Sequence, residues 1–189
     1  RLESILLERK QNGLGIDAIT FAGNGEPTLH PQFADIVDDT IKLRHKYFPN
    51  ARISVLSNAT MINRSKVFYA LQKVDDNILK LDSAIQSTVE LINCPLGRFN
   101  MSELIQNLMQ FNGNLTIQTM FIRGEYNGKP FDNTVQSEIE NWLEALKKIK
   151  PKMVMIYSIA RDTPAQGIDK VSGNELNSIA DRVRELGLD

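Results

Sequence analysis

The stretch ITFAGNGEPTLHPQF, residues 19–33, decides how this chain is read. A short β-prone run enters a turn that holds two glycines and a proline. A helical stripe then begins at about Pro31 and carries Phe33, Ile36, Val37, Thr40, Ile41 and Arg44 before Pro49 and Asn50 stop it. Proline suits a first helical turn because no backbone hydrogen bond is lost there. A strand that passes through a glycine turn into a helix is the opening of a βα unit. Within the turn, Gly23 and Gly25 let a ligand approach the backbone, and Glu26 offers a carboxylate. The turn carbonyls can also accept hydrogen bonds from an ammonium group. The plainer reading is a tight strand-to-helix turn with Glu26 merely exposed. A phosphate loop is disfavoured, since no lysine follows and Glu26 stands where an anion would be repelled.

Working outward, the same alternation repeats. Strands are expected at IDAITFAG (16–23), ARISVLSN (51–58), NILKLDSA (77–84), NLTIQTMFIRG (114–124) and PKMVMIYSIA (151–160). Helices are expected after a cap at Asn63, with Val67, Ala70, Leu71 and Val74 buried, and then over 101–111, 137–149 and 174–187. The stretch up to Gly97 reads as broken, and the segment with Gly124, Gly128 and Pro130 as a loop. RLESILLERKQNG, residues 1–13, is an amphipathic helix with Leu2, Ile5, Leu6 and Leu7 on one face. The order is α(βα)₅, which fits an open doubly wound sheet or part of a (β/α) barrel. Both put function at the C-terminal ends of the strands.

Composition narrows the class. The chain has 189 residues, 42% apolar and 24% charged, which is one domain's worth of sequence over residues 1–189. With 22 Lys+Arg against 23 Asp+Glu, the net charge of -1 gives no electrostatic reason to expect a polyanion, though a local basic patch stays open. One cysteine, Cys94, makes no intrachain disulfide and supplies no thiolate cluster by itself, so a reducing compartment, the cytoplasm, is expected. No apolar run is long enough to cross a membrane, and no signal or transit pattern opens the chain. Because residue 1 is Arg1 in a helix already under way, a piece of a longer protein is expected.

The glycine turn and its flanks carry a resemblance. ITFAGNGEPTLHPQF resembles the second strand and glycine-rich turn of radical S-adenosylmethionine (radical SAM) enzymes, with Asn24 in place of the second Gly of GGEP. SVLSNAT, ILKLDSA, LTIQTMFIRG and MVMIYSIARDTP are similar to the ends of that family's third to sixth strands, so the resemblance spans essentially the whole chain. AGNGEPTLHP and IYSIARDTP are most similar to the Fe-S oxidoreductases related to tRNA wybutosine synthesis, and glycyl-radical activating enzymes are similar but less so.

The resemblance implies an incomplete (β/α)₆ barrel without its first strand, binding S-adenosylmethionine. In the intact enzyme it also implies a [4Fe-4S] cluster on a CxxxCxxC loop that this sequence does not contain. Such an enzyme forms a 5′-deoxyadenosyl radical that takes hydrogen from its substrate; the sequence does not identify that substrate, with a tRNA and a protein both open, and the chain alone is expected to be inactive. The cofactor residues it implies are Gly23, Asn24, Gly25, Glu26 and Pro27 at the amino-acid end. Ser57, Asn58 and Asp82 follow along the sugar, with Gln118 and Ser158 at later strand ends. Arg161 is a candidate for a substrate anion. Plainer roles stand beside these: a Ser57-Asn58 turn, a capping Asp82 and a satisfied core amide at Gln118. His30 and His45 make no metal pair, and Cys94 is a structural thiol rather than a cluster ligand. The strand at 16–23 is expected to expose an unpaired edge, open to edge-strand dimerisation. A non-redox α/β domain that binds a small amine or nucleoside is the competing class.

Overall fold

Helix α1 (Leu2–Gln11) buries only Leu6, while Ile5 and Leu7 stay exposed, so its apolar face is narrower than the sequence suggests. Strand β1 (Ala18–Phe21) follows, then a 3₁₀ turn at Pro27–Leu29, and α2 (Phe33–Tyr47) buries Phe33, Val37 and Thr40. Strand β2 (Arg52–Ser57) is the most buried of this group, with Ile53 and Val55 fully covered. Helix α3 (Ser65–Gln72) is preceded by Arg64 with no side-chain cap, so Asn63 does not cap it. Strand β3 (Asp76–Lys80) then pairs in parallel with β2, Leu79 opposite Ser57, as β2 does with β1, Val55 opposite Phe21.

The computed structural model describes residues 1–23, 25–95, 97–160 and 167–188. Two compact units divide the chain, 1–79 and 80–189. In the second, α4 (Gln86–Asn93) occupies the stretch read as broken, and α5 (Met101–Met109) starts at an Asn100 cap whose Oδ1 accepts from the Glu103 N–H at 2.9 Å. Strand β4 (Thr116–Met120) pairs in parallel with a strand at Met153–Tyr157. β5 (Ile122–Tyr126) and β6 (Lys129–Asp132) form an antiparallel hairpin where a loop was expected. Helix α6 (Gln136–Ile149) has Glu138 in its first turn and Lys147 and Lys148 in its last, matching the helix dipole. It buries Ile139, Trp142, Leu143, Leu146 and Ile149 at helical spacing. The strand at Met153–Tyr157 is β7; β8 (Ile168–Lys170) joins β5 antiparallel, and α7 (Gly173–Arg184) starts in a Ser172–Glu175 capping box.

Strands β1, β2, β3, β4 and β7 make a parallel sheet of five, and β6, β5 and β8 a separate antiparallel sheet of three. The first agrees with the expected α/β class. The second was hidden because 114–124 reads as one strand, whereas it breaks at Phe121, whose N–H donates to the Tyr157 carbonyl at 2.8 Å. The close approach that joins β5 to β8 is made at Gly124, where a Cβ would lie 2.2 Å from the Gly167 carbonyl oxygen.

Candidate functional site

In the first unit the turn after β1 and the turn after β2 are tied together by one carboxylate. Glu26 caps the 3₁₀ turn, with Pro27 at its first position, and its Oε1 accepts from the Thr28 N–H at 3.1 Å and the Thr28 hydroxyl at 2.5 Å. Oε1 also accepts from the Ser57 hydroxyl at 2.8 Å, and Oε2 from the Asn58 N–H at 2.6 Å. All four donors are neutral, and among the described residues no cation is paired with Glu26. The carboxylate is thus hydrogen-bonded without an ion-pair partner among the described residues, half-buried in the turn that follows β1.

Counting donors and acceptors shows what remains for a ligand. The Ser57 hydrogen goes to Glu26, and its oxygen accepts from the Ala59 N–H at 3.0 Å, so this buried hydroxyl has no hydrogen left to donate. Asn58 Oδ1 accepts from both the N–H and the hydroxyl of Thr60, at 3.0 and 2.7 Å. That fixes the amide orientation and leaves Nδ2 on an exposed residue without a partner among the described residues. Buried Ala59 is held between these bonds at φ 63°, a left-handed conformation costing about 1 kcal/mol for a non-glycine residue. Gly25 lies on the open side: a Cβ there would meet nothing within 4 Å. Asn24 and Arg161 lie outside the described residues.

Asp82, Gln118 and Ser158 belong to the second unit. Asp82 is fully buried; its Oδ1 accepts from the Met120 N–H at 2.8 Å and its Oδ2 pairs with Lys80 Nζ at 3.0 Å. It caps the end of β4 and holds Lys80, which is the more exposed partner. Gln118 is half-buried on β4, and its carbonyl accepts from the Leu81 N–H at 3.0 Å. Ser158 Oγ accepts from the Val171 N–H at 2.9 Å. Burial pushes the Tyr157 phenol up, with Lys80 opposing and Asp82 adding to the effect.

Three residues passed over in the sequence hold this end of the second unit together. Asn133 Nδ2 donates to the carbonyls of Asp82 and Met120, both at 2.8 Å, and its Oδ1 accepts from the Ile122 N–H at 2.8 Å. Buried Glu138 accepts from the hydroxyls of Ser83 and Thr88. Lys80 is the third. Only the Lys80–Asp82 alternation was available as a signal; Asn133 and Glu138 act at separations of 51 and 55 residues.

His30 Nδ1 accepts from the Gln32 N–H, a turn contact, and Cys94 is exposed at the end of α4. Among the described residues no group of three or more His, Cys, Asp or Glu is placed to hold a metal ion. The chain's single cysteine does not fit a [4Fe-4S] cluster, which needs three thiolates. The turn with its uncompensated carboxylate does fit a cationic amino-acid head. No helix is long and apolar enough to cross a membrane among the described residues.

No family model matches the chain. A UPF0026 protein of Synechocystis sp. is 30% identical over 155 residues, 80% of this chain and 53% of that protein. A protein named GTPase Obg from Brachyspira hyodysenteriae is 24% identical over 182 residues, 93% of this chain but 25% of that protein. The chain thus spans about half the length of the UPF0026 protein it matches. Among solved structures, a domain of pyruvate-formate lyase-activating enzyme from Bacteroides vulgatus superposes with a TM-score of 0.65 at 18% identity, covering 90% of this chain and 95% of that one. SuiB of Streptococcus suis bound to its precursor peptide SuiA gives 0.69 at 16% identity, covering all of this chain and 40% of that one. Its S-adenosylmethionine complex gives 0.66 at 15% identity, covering 99% and 39%. In fold, the chain is similar to these three solved structures.

Proposed function

We propose that this chain is the S-adenosylmethionine-binding part of a radical SAM enzyme, with the turn Gly23–Pro27 taking the ligand's amino-acid end. The observation that supports this most is the half-buried Glu26 carboxylate, hydrogen-bonded four times yet without a cation among the described residues. A fixed negative charge of this kind attracts an ammonium or sulfonium cation, and the turn carbonyls and Glu26 supply acceptors to an ammonium. Asp82 and Lys80, Gln118 and Ser158 are the proposed contacts at the later strand ends. A solved neighbour that binds S-adenosylmethionine supports the ligand class.

When bound, S-adenosylmethionine supplies the 5′-deoxyadenosyl group from which such enzymes generate their radical. This chain's residues bind and orient the ligand and exclude water; with one cysteine, it offers no route of its own to the electron. We place the cluster thiolates of the intact protein outside residues 1–189, so these residues alone are inactive. The substrate follows either the tRNA-modifying reading or the protein-activating one. The activating-enzyme neighbour favours the latter, and the non-redox binding module is the remaining alternative.

Calorimetric titration of the full-length protein, purified without oxygen, with S-adenosylmethionine tests the proposal. Gly25→Val puts a β-branched side chain into the open approach, where its Cβ meets nothing within 4 Å, so affinity should fall tenfold or more with little change in stability. Glu26→Gln removes the charge and should also cost about tenfold, some 1.4 kcal/mol. Unchanged affinity in both variants leaves the turn an ordinary connection.

A further inference from the structure

Within the second unit, the antiparallel sheet of β6, β5 and β8 stands at the carboxyl ends of two parallel strands. β5 begins one residue after β4 ends, and Ser158, next after β7, accepts from the Val171 N–H next after β8. Parallel sheets place function at those ends. Asn133, next after β6, donates to the Asp82 and Met120 carbonyls and so fastens the small sheet there.

The strand registers sort its charges onto two sides. Arg123 stands opposite Asp132 and Asp169, so these positions share one face, and Glu125 alternates onto it. Glu175 of α7 also pairs with Arg123, which leaves this side acidic in balance. Tyr126 stands opposite Lys129, and Ile122 opposite Lys170, which puts both lysines and Tyr126 on the other face. No acidic position of the three strands falls there. Both lysines are exposed and neither has an ion pair among the described residues. Tyr126 is 47% exposed, and the next position on its side of β5 is Gly124, with no side chain to cover the ring.

We infer that this face binds a single-stranded segment of an RNA substrate, with Lys129 and Lys170 on phosphates and Tyr126 under a base. Lysines take phosphates and an open aromatic ring takes any base by stacking. The two lysines lie about 17 Å apart across the three strands, a spacing for separate phosphates of one strand. An acidic peptide would satisfy the lysines and give the ring no planar partner. The net charge of -1 does not oppose this, because the cations are segregated on one face. In taking the bound strand as substrate, and as RNA, the inference rests on the tRNA-modifying reading above.

The test is fluorescence anisotropy of a labelled single-stranded RNA of about twelve nucleotides, titrated with full-length protein without S-adenosylmethionine. Lys129→Gln with Lys170→Gln should weaken binding tenfold or more and flatten the slope of log K against log salt by about 1.4, two contacts at about 0.7 each. Tyr126→Ala should cost about tenfold at unchanged slope, whereas Tyr126→Phe, which keeps the ring, should bind as the unaltered protein does. Glu125→Gln, on the opposite face, should not weaken binding. Circular dichroism and thermal unfolding verify that each variant is folded. No RNA binding by the unaltered protein, an unchanged slope in the lysine variant, or equal losses for Tyr126→Ala and Tyr126→Phe overturns the inference. So does equal affinity for DNA of the same sequence or for a polyglutamate peptide. RNA binding that behaves as expected in a protein that fails to bind S-adenosylmethionine overturns the reading of the Gly23–Pro27 turn alone.

Discussion

At the scale of single residues, the strongest constraints are on atoms with several partners. Asn133 serves three backbone groups from one buried amide. Asn133→Leu would keep most of the volume and strand two carbonyls and an N–H, so a destabilisation of roughly 3 kcal/mol is expected in urea unfolding. A change below about 0.5 kcal/mol would mean that water replaces the amide at little cost. Gly124 is constrained sterically instead. A methyl group there would overlap the Gly167 carbonyl, and Gly124→Ala should cost about 2 kcal/mol by pushing β8 off β5. Increased proteolytic nicking of β8 would accompany that loss; a fully stable variant would show that the two strands separate freely. The residues of the turn were legible in sequence because Gly, Glu and Pro each have a narrow use. The direction of the Glu26 carboxylate was not, since its partners Ser57 and Asn58 lie 31 and 32 positions away.

Among the elements, legibility followed periodicity. Helices α2, α5, α6 and α7 and the five parallel strands carry unbroken apolar patterns, whereas α4 is followed at once by Pro95 and Gly97 and its short stripe does not stand out from the connections. The β4–β5 break escaped because alternation continues through Phe121, and what bends the chain there is Asn133, a tertiary contact. The small sheet is anchored electrostatically. Arg123 on β5 donates to Glu175 at 2.5 Å and to Thr134 at 2.8 Å, and Glu175 also completes the α7 capping box. The Arg123 guanidinium, then the Ser172 hydroxyl and N–H, hold the Glu175 carboxyl down at about 2 against an ordinary 4.5. A carboxylate lowered in the folded state contributes stability above its unfolded value, and that contribution is lost as the medium is acidified from about pH 4.5 towards pH 2. Acid titration of α7 by circular dichroism should therefore show a loss over that window that is absent in Glu175→Gln, which is uniformly weaker at neutral pH. Identical acid profiles would remove Glu175 as the cause.

At the scale of the whole molecule, the sheet has a free edge. β1 pairs with β2 on one side, and no other described strand pairs with it, which leaves a row of backbone donors and acceptors open to another strand. Beside it runs a groove of about 440 Å³ lined by Leu2, Ile5, Leu6, Ile16 and Ile19, with Ile5 still 44% exposed. An edge of four residues is short for the roughly 1,200–2,000 Å² that a stable complex usually buries. Self-association of the 189-residue chain is therefore expected to be weak and to depend on concentration, with β1 meeting β1 antiparallel about a two-fold axis. Sedimentation velocity over a hundredfold range of concentration would detect it as a rising weight-average coefficient. Ile5→Asp places a charge in the groove at an exposed helical position, so it should return the chain to a monomer without lowering its melting temperature. A monomer at every concentration, or association that Ile5→Asp leaves untouched, would show that the exposed edge is protected by its shortness alone.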